Sequence, residues 1–229
     1  MINQYLRSNT FKKYVPDWIS VGVLLIVFFY IVEPAKPFFR QFKLSDPTLQ
    51  HPFATVERVS DNQLYFWSAI VPSIVIIAVH ISRKNPIHIL NLSLLGLWTS
   101  LSVNGVITDI LKNLIGRPRP DFIARCGANT NVPLDQYIDI SYCSSPLGQV
   151  YLLDGMKSTP SGHSLISFSG LLFLSLWLGS QFQCKPIVGN IITCSPILLA
   201  FYIALSRTQD YRHHFLDIVM GGSIGIVIA

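Results

Sequence analysis

Six apolar runs, separated by short polar connections and one long polar stretch, restrict what this chain can fold into. They cover about residues 18–32, 64–81, 87–111, 164–182, 186–205 and 215–229. A helix of about 20 apolar residues is long enough to cross the hydrocarbon core of a bilayer. Helices also satisfy their own backbone polar groups, which the bilayer core demands. The pattern predicts an all-α, polytopic membrane protein with a six-helix transmembrane bundle.

The composition excludes an ordinary soluble protein. Of the 229 residues, 50% are hydrophobic and only 13% are charged, whereas a soluble domain carries about 25% charged residues. We therefore interpret residues 1–229 as a single integral membrane domain. The net charge of +5 comes without any basic run longer than Lys12-Lys13, so no nucleic-acid partner is expected. A lipid bilayer and a phosphate-bearing substrate fit the modest basic excess better.

The two ends of the chain need separate interpretation. The first run follows Lys12 and Lys13, as in a signal peptide, but Glu33 and Pro34 stand where a cleavage site belongs. A retained helix is therefore favoured. The last run is still apolar at Ala229, about one turn short of a full span. We expect that the sixth helix is truncated there and that the natural chain continues.

The polar stretch of residues 112–160 lies between the third and fourth predicted helices. Its length predicts an ordered extramembrane loop, because long structureless loops are uncommon. Cys126 and Cys143 both fall in it and are predicted to form a disulfide if the loop faces an oxidising lumen. Cys184 and Cys194 lie in or beside apolar runs, where free cysteine behaves as a small hydrophobe.

The distribution of charge gives a conflicting indication of orientation. Six helices place both termini on one side with six Lys and Arg residues, while the opposite side carries eleven. That count opposes the positive-inside rule. The opposite loops also hold eight acidic residues, and several of their cations have a chemical role proposed below. We therefore place the termini in the cytosol and the long loop in the lumen.

The first of three polar groups at helix ends covers residues 112–120. Pro118 and Pro120 force the residues before them into extended backbone, which fixes the direction of Arg119. Lys112, on the last turn of the third helix, and Arg119 are thus candidates to bind an anion. Cations that flank a membrane helix are also common interface anchors, and this segment alone leaves both interpretations open.

The second group covers residues 158–164, just before the fourth run. Pro160 suits a first helical position, Gly162 allows close approach of the backbone, and free N–H groups at a helix start bind anions. His163 can protonate a departing oxygen. Helix capping by Ser or Thr beside a stray interfacial histidine explains the segment equally well.

The third group covers residues 206–217, between the fifth and sixth runs. If the sixth helix starts near Arg212, His213 and Asp217 lie four residues apart on one face. Asp217 then accepts a hydrogen bond from Nδ1 of His213 and leaves Nε2 free to attack. His214 is three residues from Asp217, so geometry alone does not choose between the two histidines.

A metal site is an alternative interpretation of the third group, with four candidate ligands: Asp210, His213, His214 and Asp217. Neighbouring cations repel a divalent ion, so no metal is expected. Together the three groups place three cations beside two histidines and a carboxylate on one side of the bundle: Lys112, Arg119 and Arg207. Arginine forks suit phosphate oxygens, so the predicted ligand is a phosphate.

The three groups resemble the signature of the type 2 phosphatidic acid phosphatase superfamily, K-x6-R-P, P-S-G-H and S-R-x5-H-x3-D. Residues 112–120, 160–163 and 206–217 match its three elements in order. The wider sequence, from about Arg40 to Ala229, is similar to the lipid phosphate phosphatase branch, and within it to the fungal diacylglycerol pyrophosphate phosphatases.

The resemblance implies a six-helix membrane fold and a hydrolase that needs no metal or cofactor. The implied substrates are membrane phospholipids, namely diacylglycerol pyrophosphate, phosphatidate and lysophosphatidate. The implied site faces the lumen, and the fungal likeness favours the vacuolar membrane. His213 is the implied nucleophile that forms a phosphohistidine, with Asp217 as its orienting group and His163 as the acid. The implied phosphate-binding residues are Lys112, Arg119, Ser161, Gly162 and Arg207.

Two other functions are compatible with the sequence. The same site could serve isoprenoid diphosphates or soluble phosphate esters. A different class is a transporter or channel that binds an anion or lipid in transit, which predicts that phosphate release does not depend on His213. The absence of breaks and paired charges deep inside the spans argues against transport. The sequence gives no oligomeric state.

Overall fold

The computed structural model of the chain describes residues 2–128, 134–182 and 187–229. Within these ranges there is no strand, and two isolated β-bridges pair Phe42 with Ile138 and Ala128 with Cys143. The prediction of an all-α protein is confirmed. The α-helices are α1 (Ile2–Leu6), α2 (Asn9–Lys12), α3 (Val15–Val27), α4 (Asp61–Tyr65), α5 (Val71–Arg83), α6 (Ile87–Ile115), α7 (Phe122–Cys126), α8 (Gln149–Gly155), α9 (Gly162–Phe182), α10 (Ile187–Gln209) and α11 (Phe215–Ile228).

Five continuous helical segments in the described ranges are long and apolar enough to cross a bilayer: Asn9–Val32, Asp61–Arg83, Ile87–Ile115, Gly162–Phe182 and Ile187–Gln209. The first joins α2 and α3 to a π turn, and the second joins α4 and α5 through another. The apolar α11 has 14 residues. The structure therefore supports a polytopic membrane protein with five full-length candidate spans and one shorter helix. The predicted connection at residues 183–185 lies outside the described residues.

Local capping explains why some helices extend beyond the predicted runs. The segment predicted to start at residue 64 begins at Asp61, because Ser60 and Gln63 form a capping box that satisfies exposed N–H groups at the start. The helix predicted to end at residue 111 continues to Ile115 and stops at Gly116, which adopts a left-handed φ of 57°. A side chain at Gly116 would collide with the Phe38 carbonyl.

The centre of the bundle is α9, which packs against α6, α10 and α11. Its buried apolar residues share one core with residues from the other spans. The contact with α6 also contains a buried polar cluster, in which Ser169 contacts Ser100 at 2.7 Å and Asn104 at 2.9 Å. Such hydrogen bonds hold membrane helices together. Two glycines of α11 bring it close to the start of α9, because a Cβ at Gly221 would collide with the carbonyl of Ser161 and a Cβ at Gly225 with that of Leu165.

Beyond the spans, the segments between residues 33 and 60 and between residues 116 and 161 form what we call the cap. Its described part has its own apolar core, in which Phe42 and Leu49 of the first segment pack with Phe122 and Met156 of the second. The predicted disulfide between Cys126 and Cys143 is present. The prediction of an ordered loop is thus confirmed for the described residues.

Candidate active site

A cavity of about 640 Å³ opens between the cap and the ends of the helices. It lies where α6 and α10 end and where α9 and α11 begin, so the topology brings together segments that are distant in sequence. Six of the eight predicted site residues line it: Lys112, Arg119, Gly162, His163, Arg207 and His213. The structure therefore brings residues of all three polar groups together around one cavity, while their roles stay a prediction.

Lys112 and Gly162 join the first polar group to the second. A Cβ built on Gly162 would lie 3.0 Å from Nζ of Lys112, so a larger residue there would press on the lysine. Lys112 also forms an ion pair with Asp109, one turn earlier on α6, at 3.2 Å. The first turn of α9 thus presents free backbone N–H groups next to an ammonium group, which suits an anion.

Arg119 is fixed by the cap on two sides. Its backbone N–H donates to the carbonyl of Gly155 at 2.8 Å, and its Nη2 donates to Asp154 at 2.7 Å. Asp154 also accepts from Arg125 at 2.8 Å. Burial raises the pKa of Asp154, but the charges of Arg119 and Arg125 outweigh burial and leave it well below its usual range. Arg119 therefore contributes a preorganised cation to the cavity.

Arg207 lies at the end of α10 and is 1% exposed. Its Nη1 donates to Glu57 at 2.7 Å, and its Nη2 donates to Asp210 at 2.8 Å. Asp210 also accepts from the backbone N–H of Arg58 at 2.9 Å. The guanidinium is therefore held by one carboxylate that lies just after its own helix and by another from the cap.

His163 stands on the first turn of α9, and Nε2 of its ring lies 3.0 Å from the carbonyl oxygen of Val59. A carbonyl only accepts, so Nε2 carries the proton in this contact. The cap thus orients the predicted acid. The helix begins at Gly162, so the prediction that Pro160 occupies the first helical position is wrong.

Ser161 is not brought to the cavity wall. Its backbone N–H donates to the carbonyl of Asp217 at 3.0 Å, and its Oγ accepts from the hydroxyl of Ser164 at 3.1 Å. The side chain is fully buried. The structure therefore shows Ser161 as a link between α9 and α11, and a contact between Ser161 and phosphate stays a prediction.

His213 lies in the connection between α10 and α11 and is 4% exposed. Its Nδ1 is 2.7 Å from the carbonyl oxygen of Ser158, so Nδ1 carries the proton and Nε2 has the free lone pair. Burial, together with the charges of Arg119 and Lys112, lowers the pKa of His213 well below its ordinary value. The ring is therefore neutral at pH 7, as a nucleophile must be.

The predicted hydrogen bond between Asp217 and His213 is wrong. The prediction assumed that the last helix starts near Arg212, but α11 starts at Phe215 and His214 is its N-cap. His213 therefore precedes the helix and does not share a helical face with Asp217.

Asp217 instead organises the segment that contacts His213. Its carboxylate accepts from the hydroxyl of Ser158 at 2.6 Å and from the hydroxyl of Thr159. It also accepts from Arg117 at 2.9 Å and from the backbone N–H of His214 at 3.0 Å. Asp217 is fully buried, so these four donors satisfy a charge that would otherwise be costly.

The alternative metal site in the third group is not formed. Asp210 pairs with Arg207, and the Asp217 carboxylate is occupied by the four donors above. Nε2 of His214 lies 3.2 Å from the Pro118 carbonyl. Within the ranges that the structure describes, no group of three or more His, Cys, Asp or Glu side chains is arranged to hold a metal ion.

The acidic part of the cavity wall lies outside the three sequence motifs. Glu57 and Asp154 both line the cavity and bind its arginines. Glu57 lies in the connection before α4, and Asp154 lies on α8 in the cap. Neither belongs to a motif, so their sequence positions gave no indication of the role. Arg212, which also lines the cavity, stands beside His213 and could have been found from that position.

Comparisons with known proteins agree with the geometry. The sequence profile of the PAP2 superfamily matches residues 93–229. Diacylglycerol pyrophosphate phosphatase 1 of Saccharomyces cerevisiae is 41% identical over 214 residues, which are 90% of this chain and 74% of that protein. A probable diacylglycerol pyrophosphate phosphatase 1 of Schizosaccharomyces pombe is also 41% identical, with 93% and 77% covered. Lipid phosphate phosphatase 2 of Arabidopsis thaliana is 33% identical, with 93% and 73% covered. No solved structure gives a significant match.

Proposed function

The chain belongs to the PAP2 superfamily, and on this premise we propose that it is a lipid phosphate phosphatase that works through a phosphohistidine intermediate. The observation that carries the proposal is the cavity in which His213 and His163 stand beside three cations: Lys112, Arg119 and Arg207. We further propose that residues 1–229 form a single integral membrane phosphatase domain.

The three cations and the first turn of α9 bind the phosphate group. Phosphoryl transfer develops charge on the three equatorial oxygens, and fixed positive groups stabilise that charge in a buried site. Lys112 and the backbone of Gly162 lie on one side, and Arg119 and Arg207 are held in place by carboxylates. These side chains supply the stabilisation that Mg²⁺ gives in other phosphoryl-transfer enzymes, so we propose a metal-independent reaction.

The two histidines have different roles in the proposed reaction. Nε2 of His213 forms a bond to phosphorus while the bond from phosphorus to the leaving oxygen breaks. His163, in its protonated form, gives the proton of Nδ1 to that oxygen while its Nε2–H stays on the Val59 carbonyl. Water then attacks the phosphohistidine, His163 takes a proton from it, and inorganic phosphate and free His213 result. The carbonyl of Ser158 keeps the His213 ring in the required tautomer throughout.

Asp217 is proposed to position His213 indirectly. Its carboxylate holds the hydroxyl of Ser158, and the carbonyl of the same residue accepts from His213. Arg117 balances the buried charge of Asp217 from the other side. This arrangement replaces the direct contact that the motif suggests.

The proposed substrates are diacylglycerol pyrophosphate, phosphatidate and lysophosphatidate. Relatives that are 41% identical carry the name diacylglycerol pyrophosphate phosphatase. Part of the cavity wall is apolar and comes from three spans, through Phe28, Leu64 and Ile166. Apolar side chains beside a cationic end match an acylglycerol attached to a phosphate.

We propose that the cavity opens on the lumenal side, with the vacuolar membrane as the location that the fungal resemblance implies. The disulfide between Cys126 and Cys143 lies in the cap, next to the cavity. Structural disulfides persist in oxidising compartments and are rare in the cytosol, which supports a lumenal cap.

The decisive experiment measures phosphate release by the purified protein from lipid and soluble phosphates, with EDTA, with orthovanadate and with both. We expect hydrolysis of lipid phosphates to persist in EDTA. Vanadate adopts the five-coordinate geometry of the transition state, so the same cations should hold it more tightly than phosphate. Loss of all activity in EDTA with recovery on adding Mg²⁺ would overturn the mechanism. Isoprenoid diphosphates as the best substrates would overturn the substrate class.

Arg207→Lys is the matched variant for this experiment. It keeps one positive charge but loses the planar fork that binds two phosphate oxygens. We expect weaker vanadate inhibition together with slower catalysis. If phosphate release does not depend on His213, the activity comes from a contaminating phosphatase. An anion transporter would then be the favoured function.

A further inference from the structure

The charges that line the cavity are balanced before any substrate binds. Five basic residues line it: Lys112, Arg119, Lys157, Arg207 and Arg212. Five acidic residues line it as well: Glu33, Glu57, Asp61, Asp109 and Asp154. Their formal charges cancel, so an incoming phosphate competes with these carboxylates for the cations. An entering phosphate displaces a carboxylate from one or more of these cations. The position of that carboxylate therefore influences which substrates bind.

Glu57 is the acidic residue that bridges two cavity arginines. Its Oε2 accepts from Nη1 of Arg207 at 2.7 Å, and its Oε1 lies 2.8 Å from Nη2 of Arg212. The Glu57 side chain is 27% exposed, whereas those of both arginines are almost fully buried. A carboxylate that spans two guanidinium groups occupies the kind of position that a phosphate group fills, because each is an anion with at least two acceptor oxygens.

Arg212 has hydrogen-bonding capacity left over. The residue is 5% exposed, and its Nε has no hydrogen-bond partner within the described parts of the chain. The guanidinium is fixed by the carbonyl of Ala54 at 3.1 Å and by the ring of Phe53 at 4.5 Å. A buried donor without an acceptor is uncommon and calls for an explanation, which an anion bound beside the guanidinium would provide.

Only the end of the Glu57 side chain has to move for a ligand to enter. The backbone on its C-terminal side is held, because the N–H of Arg58 donates to Asp210 at 2.9 Å and the carbonyl of Val59 accepts from His163 at 3.0 Å. Rotation of one partly exposed side chain is a small change compared with opening the cap.

We propose that Glu57 marks a second anion subsite, between Arg207 and Arg212, which the inner phosphate group of a diphosphate substrate occupies after displacing the Glu57 carboxylate. This inference rests on the proposed function, in which the outer phosphate is held by Lys112, Arg119 and Arg207. A monophosphate substrate fills only that first site. A diphosphate also reaches Arg212, so the Glu57–Arg212 pair makes the cavity selective for diphosphate head groups.

The test uses two probes that cannot be hydrolysed, methylenediphosphonate and methylphosphonate. Their binding is measured by thermal stabilisation of the purified protein in detergent, which needs no activity, and by inhibition of lipid phosphate hydrolysis. We expect Arg212→Gln to weaken diphosphonate binding about 10-fold, the effect expected for loss of one charge-assisted contact. Monophosphonate binding should weaken less. We expect Glu57→Gln to tighten diphosphonate binding by a similar factor.

Glu33→Gln is the matched control. Glu33 also lines the cavity, and its removal changes the charge of the wall equally without touching either arginine, so it should shift both probes alike. The proposal is overturned if Arg212→Gln leaves the ratio of the two affinities unchanged. It is also overturned if Glu57→Gln weakens both probes, because Glu57 would then only align Arg207. Since Glu57 is partly exposed, its variant tests the proposal even if Arg212→Gln does not fold.

Lipid substrates separate this inference from the proposed function. With diacylglycerol pyrophosphate and phosphatidate, Arg212→Gln should lower kcat/KM more for the diphosphate. If the wild-type protein hydrolyses neither lipid, the proposed function fails, while the phosphonate measurements still decide whether the subsite exists.

Discussion

The Nδ1 atom of His213 lies 2.7 Å from the carbonyl oxygen of Ser158, so a main-chain group and not a carboxylate selects the tautomer of this histidine. The carbonyl cannot donate, which leaves the proton on Nδ1 and the lone pair on Nε2. Nε2 is then the atom available for attack on phosphorus.

His213→Ala should abolish turnover, because alanine carries no nitrogen that can attack phosphorus. His214→Ala should retain much of the activity, since the side chain of His214 contacts the Pro118 carbonyl and does not line the cavity. Phosphate release from phosphatidate by both purified variants checks this assignment. Equal losses in the two variants would contradict it.

His163→Ala should slow hydrolysis of phosphatidate about 10²-fold or more, because loss of a general acid typically costs 10²- to 10⁴-fold. An aryl phosphate has a better leaving group and needs less help from an acid, so its hydrolysis should suffer less. The measurement is kcat for both substrates with wild type and variant. If both substrates are slowed to the same degree, His163 is not the acid.

Asp217→Asn should lower kcat about 10-fold or more, because the neutral amide loses the charge-assisted contacts to Arg117 and Ser158 that position His213. KM should change little, since Asp217 does not line the cavity. Arg117→Lys, which keeps the positive charge, should lose less activity. Steady-state kinetics of the variants decide this; a rise in KM with unchanged kcat would place Asp217 in substrate binding.

His213 should remain unprotonated at pH values below 6.5. Burial and the charges of Arg119 and Lys112 lower its pKa well below the ordinary value, so acylation of its neutral ring by diethylpyrocarbonate should stay constant as the pH falls through about 6.5, where a free histidine peptide loses reactivity. The unfolded chain takes up this proton first, so His213 lowers the free energy of unfolding as the pH falls below about 6.5. Peptide mapping of the acylated protein provides the measurement. A midpoint near that of the free peptide would contradict the prediction.

Arg119→Gln is the companion variant for the labelling experiment. It removes one of the charges that oppose protonation of His213, so the pH at which labelling declines should rise. An unchanged profile would show that the charge of Arg119 does not contribute to the lowered pKa.

Much of the fold could be predicted because the bilayer makes simple demands on a sequence. Apolar runs of sufficient length located each long helix in the described ranges, and at Asp61 and Ile115 the observed helix extends beyond the predicted run because the Ser60 capping box and Gly116 set its end. The meeting of the three motifs also followed from the topology, since alternating helices bring their ends to the same side.

The contacts within the site could not be predicted with the same detail. Because α11 starts at Phe215 and not near Arg212, His213 does not share a helical face with Asp217. This difference of three residues changes the hydrogen-bond partners of both His213 and Asp217. Glu57 and Asp154 belong to the cap, whose packing depends on contacts between residues far apart in sequence. No periodic pattern encodes such contacts.

Gly221 and Gly225 set the separation of the two halves of the active centre. They allow α11 to lie against the carbonyl groups of Ser161 and Leu165. These two residues flank His163 in the sequence, and His213 lies just before the start of α11. The spacing of proton donor and attacking nitrogen is thus a property of a helix crossing at the membrane boundary. Anyone grafting this chemistry onto a water-soluble scaffold would have to reproduce the glycine crossing as well as the signature motifs.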